Sequence, residues 1–139
     1  MLSADDLKAA CLALPGAAEE FPFGAETSVF KVADKMFAAC HLGAEPPLRI
    51  NLKCDPELAV NLRAAHAAIL PGYHMNKRHW NTVVVDGSLD DRMVLDMIED
   101  SYDLIVTSLT KTQRAALELP RNDEQVAAGR ERKARRTRS

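Results

Sequence analysis

The sequence predicts an α+β protein, a two-layer sandwich with helices packed on one face of a twisted, mainly antiparallel sheet. Its segments follow the order helix, β-hairpin, strand, helix, strand, helix, which is typical of this class. Leu48–Lys53 alternates apolar and polar residues, as in a strand with one buried face, and residues 93–106 carry apolar side chains at helical spacing. The 139 residues are enough for one domain, which we place at residues 1–120, followed by a basic tail at 121–139.

The chain opens with a pattern typical of a capped helix. Ser3 and Asp6 have the spacing of a capping box, and the apolar residues that follow recur at i, i+3, i+4 and i+7. The next segment, residues 19–24, has no periodic pattern. We therefore expect a loop there, with Phe21 and Phe23 covering an edge of the core.

Two β-rich segments, Thr27–Val32 and Met36–His41, predict a hairpin joined by residues 33–35. After the alternating strand, Asp55 is the expected N-cap of a second helix, because Pro56 suits the first helical position. The inner side of this helix is expected to carry four apolar residues, namely Leu58, Leu62, Ala65 and Ile69.

The remaining elements are a strand, a long helix and a short helix. Trp80–Val85 reads as the strand, and Ser88 with Asp91 is expected to cap the long helix. The apolar stripe over residues 93–106 predicts that one side of this helix enters the core. A last helical piece is expected at residues 112–119.

The net charge of −2 conceals an uneven distribution. Residues 1–120 contain 11 Lys and Arg against 17 Asp and Glu, whereas residues 121–139 contain 7 against 3. Bulk charge therefore does not predict that the fold as a whole binds nucleic acid, although the tail would attract phosphates without sequence preference or serve solubility alone. The densest acidic surface lies on the long helix, at residues 90–103, and is expected to be a solvated face.

Several function classes find no support in the sequence. Three widely spaced cysteines predict buried thiols in a reducing compartment, and no segment predicts a membrane span or a signal peptide, so we expect a cytoplasmic protein. The sequence leaves the oligomeric state open, and we assume a monomer. No nucleophile elbow, P-loop or dinucleotide fingerprint occurs, and the histidines lack the spacing of a zinc site. We predict no catalytic residues, no metal and no cofactor.

The most informative segment is the run from Pro71 to Trp80, which combines rings, hydrogen-bond donors and positive charge at the start of a strand. Its chemistry favours contact with an anionic, stackable partner such as DNA or another nucleic acid. The candidate binding residues in it are Tyr73, His74, Asn76, Lys77, Arg78, His79 and Trp80. Lys77 and Arg78 would contact phosphates while the rings shape the loop or stack on a base; alternatively, the rings anchor the loop in the core and the cations face solvent.

Cations on the strands extend this candidate surface. If the free face of the sheet is exposed, Lys35, Arg49 and Lys53, together with Lys31, would form a basic stripe beside the loop. Outward charges are also common on solvated strands, so this arrangement alone does not establish a site.

The chain also resembles the MmcQ/YjbR family of small bacterial proteins over about residues 3–110. The resemblance rests on five segments, Glu20–Gly24, Lys35–Ala38, Asn51–Pro56, Pro71–Val83 and Asp100–Tyr102. It implies a frataxin-like (CyaY-like) α/β sandwich and the family's usual label, a DNA-binding protein with a double-wing arrangement. It implies no catalytic set.

Two other functions remain open at this stage. The same loop could wall a pocket for a small anionic ligand or a protein partner, in which case Tyr73, His74 and Arg78 would line a concave site. A frataxin-like fold also raises the possibility of iron binding, but the first helix offers only Asp5 and Asp6 as hard oxygen ligands.

Overall fold

The computed structural model, which describes residues 1–72, 75–117, 127–132 and 134, is built around one six-stranded antiparallel sheet. The strands are β1 (Ala18–Glu20), β2 (Ser28–Val32), β3 (Lys35–Cys40), β4 (Leu48–Lys53), β5 (Ile69–Pro71) and β6 (Trp80–Val85). The helices are α1 (Ala4–Leu12), α2 (Pro56–Ala65), α3 (Asp91–Thr107) and α4 (Lys111–Ala116). The strands lie in the order β1-β2-β3-β4-β6-β5.

One face of the sheet is covered by helices, which confirms the predicted α+β sandwich. Leu48, Ile50 and Leu52 of β4 are buried, and Ile50 lies opposite the buried Val83 of β6. The apolar stripe of α3 packs on this layer and contacts β2, β3 and β4, because its residues recur on one side of the helix. Burial of this continuous apolar layer is the main stabilising contribution to the fold.

The other face of the sheet, which we call the open face, carries the side chains of β4 that alternate with this buried layer, and in its middle Val29 and Thr82 are at most 4% exposed. Alternation along β4 places Arg49, Asn51 and Lys53 on it. Asn51 lies opposite Thr82 of β6, whose hydroxyl donates a hydrogen bond to the Asn51 side-chain oxygen at 2.5 Å. Cationic side chains of β4 therefore have access to a partner that approaches the sheet.

Local signals in the sequence located several boundaries correctly. The α1 capping box is present: the Ser3 hydroxyl accepts from the Asp6 amide, and the Asp6 carboxylate accepts from the Ser3 amide. Asp55 caps α2 and Pro56 is its first residue, as expected. The cap of α3 is Asp90 rather than Ser88 with Asp91, because several residues before this helix can act as caps and Asp90 accepts from the Arg92 amide.

Of the loop predicted at residues 19–24, residues 21–24 lack regular structure as expected, whereas Glu19 and Glu20 belong to a strand. Ala18–Glu20 forms the edge strand β1, which pairs with β2. Phe21 and Phe23 are 49% and 71% exposed and do not cover the core. A three-residue edge strand rich in charge lacks the apolar alternation by which strands are recognised.

Strand β5 was also missed, because Ile69 was assigned to the inner side of α2. The helix ends at Ala65, and Ile69 pairs with Val83 in the sheet. The hairpin turn consists of Ala33 and Asp34, both with positive φ (50° and 63°), so Lys35 already belongs to β3. The short last helix ends at Ala116, and residues 118 and 119 of the expected piece lie outside the described residues.

Most of the expected tail, residues 121–126, 133 and 135–139, lies outside the described residues. Residues 127–132 are helical, and Arg132 is only 6% exposed. No helix in the described part of the chain has the length and apolar character needed to cross a membrane.

The three cysteines differ in how far they are buried, and this leads to a prediction. Burial raises the pKa of the Cys11 and Cys40 thiols to about 12, whereas Cys54 is partly exposed. Because the thiolate is the nucleophile, Cys11 and Cys40 stay protonated and shielded at pH 8. We expect iodoacetamide to modify Cys54 at least about ten times faster than either of them in the folded protein.

Peptide mass spectrometry of briefly alkylated protein measures these rates. In urea, all three thiols should react at similar rates. Modification of Cys11 as fast as Cys54 without denaturant would show that the core around α1 and β3 opens readily.

Candidate nucleic-acid interface

The segment between Asn76 and Trp80 forms a tight turn whose backbone is held from within. The Asn76 side-chain oxygen accepts from the Arg78 amide at 3.0 Å, and the Asn76 carbonyl accepts from the amides of His79 and Trp80 at 3.2 and 3.0 Å. The side chains of Lys77 and Arg78 are exposed at its apex. The turn therefore presents two adjacent cations on an ordered backbone. Tyr73 and His74, the other predicted loop residues, lie outside the described residues.

Arg63 of α2 holds this turn from outside. Its guanidinium donates to the Lys77 carbonyl, to the Trp80 carbonyl at 3.0 Å and to the Asn81 side-chain oxygen at 2.7 Å. Asn81 is 2% exposed, so water does not replace this donor easily. Sequence reasoning missed Arg63, since nothing in a helical arginine indicates a contact with residues 14 to 18 positions away.

Gly72 allows the two ends of the loop to approach each other closely. Its amide donates to the Trp80 carbonyl at 2.9 Å, and a Cβ at position 72 would lie 2.8 Å from both the Cβ and the carbonyl oxygen of Trp80. Such distances are too short for any side chain, so glycine is required here. The close approach sets the position of Trp80 relative to the turn.

Two of the predicted strand cations, Lys53 and Arg49, belong to β4 and lie on the open face. Lys53 lies directly opposite Trp80 in the β4–β6 ladder, and both are partly exposed. Arg49 is exposed on the same face, four residues earlier, or about 13 Å along the strand. Lys31 also lies on this face, where its ammonium is 3.8 Å from Glu20.

Lys35 does not belong to this surface, contrary to the sequence-based prediction. It lies opposite the buried Val32 and donates to the Ser108 hydroxyl at the end of α3, on the helix side. The cause is a β-bulge: Phe30 pairs with Ala38 but Lys31 pairs with Met36, so Phe37 is an extra residue. A one-residue insertion sends every side chain before it to the opposite face.

Ser101 and Tyr102, which resemble a family motif, have structural contacts, as their position on the apolar stripe suggested. The Ser101 hydroxyl donates to the Phe37 carbonyl at 2.5 Å and accepts from the Lys53 amide at 2.8 Å. Tyr102 donates to the Pro15 carbonyl and packs edge-on against Phe37, with ring centroids 5.4 Å apart. Ser101 thereby holds the end of β4 that carries Lys53.

A cavity lies between α2, α3 and the sheet, but it is small. It is lined by Leu52, Lys53, Cys54, Leu58, Leu62, Asn81, Val83, Met97 and Asp100. Its volume of about 20 Å³ suits a water molecule rather than a metabolite. The loop from Asn76 to Trp80 does not contribute to its walls, so this cavity does not favour the alternative of a ligand pocket walled by that loop.

Metal binding also gains no support from the geometry. In the ranges that the structure describes, no group of three or more His, Cys, Asp or Glu side chains could hold an ion. The described part of the candidate site is a surface of cations and one indole ring around the turn that Asn76 and Arg63 hold.

Comparison with known proteins places these features in a family. The family model described as YjbR matches residues 12–104, a range that contains Arg63, the loop and Ser101. The chain is 38% identical to YbdF of Escherichia coli O157:H7 over 104 residues (75% of this chain, 84% of YbdF) and 36% identical to YjbR of Escherichia coli K12 over 107 residues (77% and 90%). The names of these relatives state no activity.

Solved structures agree with this assignment. The crystal structure of DR2400 from Deinococcus radiodurans has a TM-score of 0.80 at 42% identity, covering 86% of this chain and 91% of DR2400. A crystal structure of a Pseudomonas syringae protein has a TM-score of 0.62 at 30% identity, covering 75% of this chain and 98% of that one. With most of its folded part matched by the family model and by relatives of similar length, the chain belongs to the YjbR family.

Proposed function

We propose that this protein binds nucleic acid, without catalysing a reaction, through a surface that we call the cationic rim: Lys53, Lys77, Arg78 and Trp80. The observation that carries the proposal is the position of Lys77 and Arg78 at the exposed apex of a turn held by Arg63 and Asn76. Lys53 and Trp80 lie side by side at the foot of this turn, on the open face. Arg49 extends the positive charge along β4.

The rim suits the backbone of a nucleic acid. Lysine and arginine contact phosphate oxygens without regard to sequence, and a partly exposed indole can stack on a base or a sugar. Because the turn is already ordered, little conformational entropy is lost when a ligand binds to it. The backbone of His79 contributes to this order, since its carbonyl accepts from the Cys54 amide at 2.8 Å.

The number of cations that contact phosphate sets the salt dependence of the association constant. With a net charge of −2, the protein gains no affinity from its overall field, so binding depends on local contacts. If Arg49, Lys53, Lys77 and Arg78 each neutralise one phosphate, the logarithm of the association constant should fall with the logarithm of salt concentration with a slope of about −3 to −4. Binding is expected to be weak at physiological salt and readily measured at low salt.

Replacing Lys77 and Arg78 together by alanine is the direct test. We expect at least about tenfold weaker binding at low salt and a salt slope less steep by about 2, because two phosphate contacts are lost. Fluorescence anisotropy of labelled single- and double-stranded DNA gives the affinities, and Trp80, the one tryptophan in the sequence, provides an independent emission signal. Unfolding by urea should be almost unchanged, since both side chains are exposed.

The matched control is the double variant Lys35→Ala/Lys111→Ala. It removes the same charge from exposed positions on the helix side of the molecule, near the end of α3. We expect its binding to stay within about twofold of the unmodified protein. Equal losses in both double variants would mean that only net charge matters, and no binding at low salt would exclude the proposed function.

A further inference from the structure

The outer flank of α3 collects carboxylates at helical spacing. Asp96, Glu99, Asp100 and Asp103 follow one another at i, i+3, i+4 and i+7, on the side away from the core stripe. Arg92 engages two of them, with its Nε 3.0 Å from Asp96 and its Nη2 3.5 Å from Glu99. This flank was expected to be simply solvated, yet Asp96 is only 1% exposed.

A second guanidinium, from the basic C-terminal segment, is buried against this flank. Arg132 Nε lies 2.7 Å from Asp100 Oδ1 and its Nη1 lies 3.3 Å from Glu99 Oε2, while Nη2 contacts Asp103 Oδ2. The Arg132 side chain is 7% exposed, although it belongs to the most basic part of the sequence. Each of the three carboxylates thus forms an ion pair with a different nitrogen of the Arg132 guanidinium.

We propose that Glu99, Asp100 and Asp103 form a guanidinium-binding cradle whose occupant is Arg132 of the chain's own basic segment, and that the cradle keeps this segment from contacting nucleic acid. The first part stands on the contacts alone. The second part rests on the function proposed above, because it assigns a regulatory role to the same binding surface.

The chemistry of the cradle selects arginine. A guanidinium presents five N–H donors in a rigid plane and can serve three carboxylates at once, whereas an ammonium is a single point charge on a flexible stem. Although burial opposes it, the hydrogen bond with Asp100 and the charge of Asp103 raise the pKa of Arg132 above its usual range. Burial raises the pKa of Asp103, and Arg132 acts against that increase. The carboxylates of the cradle thus stabilise the charged form of Arg132.

Docking has a consequence for the neighbouring cations. Residues 130–138 include six, namely Arg130, Arg132, Lys133, Arg135, Arg136 and Arg138. While Arg132 is held on α3, residues 127–132 lie against the helix layer, whereas Lys53 and Trp80 lie on the open face. Phosphates and the cradle therefore compete for the segment, and its release would add cations to the bound state.

Arg132→Lys tests the proposal without changing net charge, and Glu99→Gln/Asp103→Asn removes two walls of the cradle. Its control, Glu26→Gln/Glu45→Gln, removes the same charge from exposed positions elsewhere. Hydrogen exchange of the amides of residues 127–132, measured without nucleic acid, should be at least about tenfold faster in both cradle variants than in the unmodified protein or the control. Affinity for DNA at low salt should rise about threefold to tenfold in Arg132→Lys.

The two measurements separate the two proposals. Unchanged exchange in both cradle variants would overturn the cradle, whether or not DNA binds. Faster exchange with unchanged DNA affinity would support the cradle and overturn its regulatory role. If the unmodified protein does not bind DNA, the proposed function fails, and the exchange result still decides the cradle. A dimer that dissociates in the variants would place the segment on a second copy and overturn the assignment to its own chain.

Discussion

Arg63→Ala is expected to lower the free energy of unfolding by about 2 to 3 kcal/mol, a large effect for a residue on the surface of a helix. The change removes three hydrogen bonds, to the carbonyls of Lys77 and Trp80 and to the side chain of Asn81. Asn81 is almost fully buried, so its oxygen would be left without this donor, and that loss dominates the cost. Urea unfolding followed by circular dichroism measures the difference.

The same variant should weaken nucleic-acid binding, although we expect Arg63 to support the turn rather than to contact the ligand. Without the guanidinium, the apex of the turn can take up several conformations, and binding must then order it. Arg63→Lys retains the charge but cannot form the planar fork, so intermediate losses in both stability and affinity are expected. An unchanged free energy of unfolding in Arg63→Ala would show that the turn is held by Asn76 and Gly72 alone.

Elements with local signals could be predicted from the sequence. The caps at Ser3 and Asp55 are encoded within a few residues, and the core stripe of α3 follows from periodicity alone. The strand Trp80–Val85 was predicted with its observed boundaries because β-branched residues follow a turn. By contrast, β1 and β5 have three residues each and carry no pattern of their own.

The candidate site could be located from the sequence but not assembled from it. The composition of residues 76–80 drew attention to the loop, and alternation placed Arg49 and Lys53 correctly. The bulge that moves Lys35 to the other face depends on how β2 and β3 pair, which no single strand encodes.

The two arginines with the most consequential contacts were both missed. Arg63 and Arg132 meet their partners through tertiary contacts, the latter across about 30 residues. A sequence shows that a cation exists and not which acceptors surround it. In this protein, the surrounding acceptors decide which cations are exposed to a partner and which stabilise the fold.

Ser101→Ala should be comparably destabilising, by about 2 to 3 kcal/mol, because the hydroxyl takes the place of a missing strand contact. The β3–β4 ladder ends at the pair Ala38 and Leu52, and the next pair would be Phe37 and Lys53. There the Ser101 hydroxyl joins the strands by donating to the Phe37 carbonyl and accepting from the Lys53 amide. Ser101 is fully buried, so alanine would leave two backbone groups without their partner.

The matched control is Ser108→Ala, at the exposed end of the same helix, where water can replace the lost contacts. We expect it to cost at most about 0.5 kcal/mol. Because Ser101 fixes the backbone of Lys53, Ser101→Ala should also weaken nucleic-acid binding about threefold, measured below the urea concentration at which it unfolds. Destabilisation without loss of affinity would confirm the structural role of Ser101 and remove Lys53 from the cationic rim, because a displaced Lys53 would then have made no difference to the ligand.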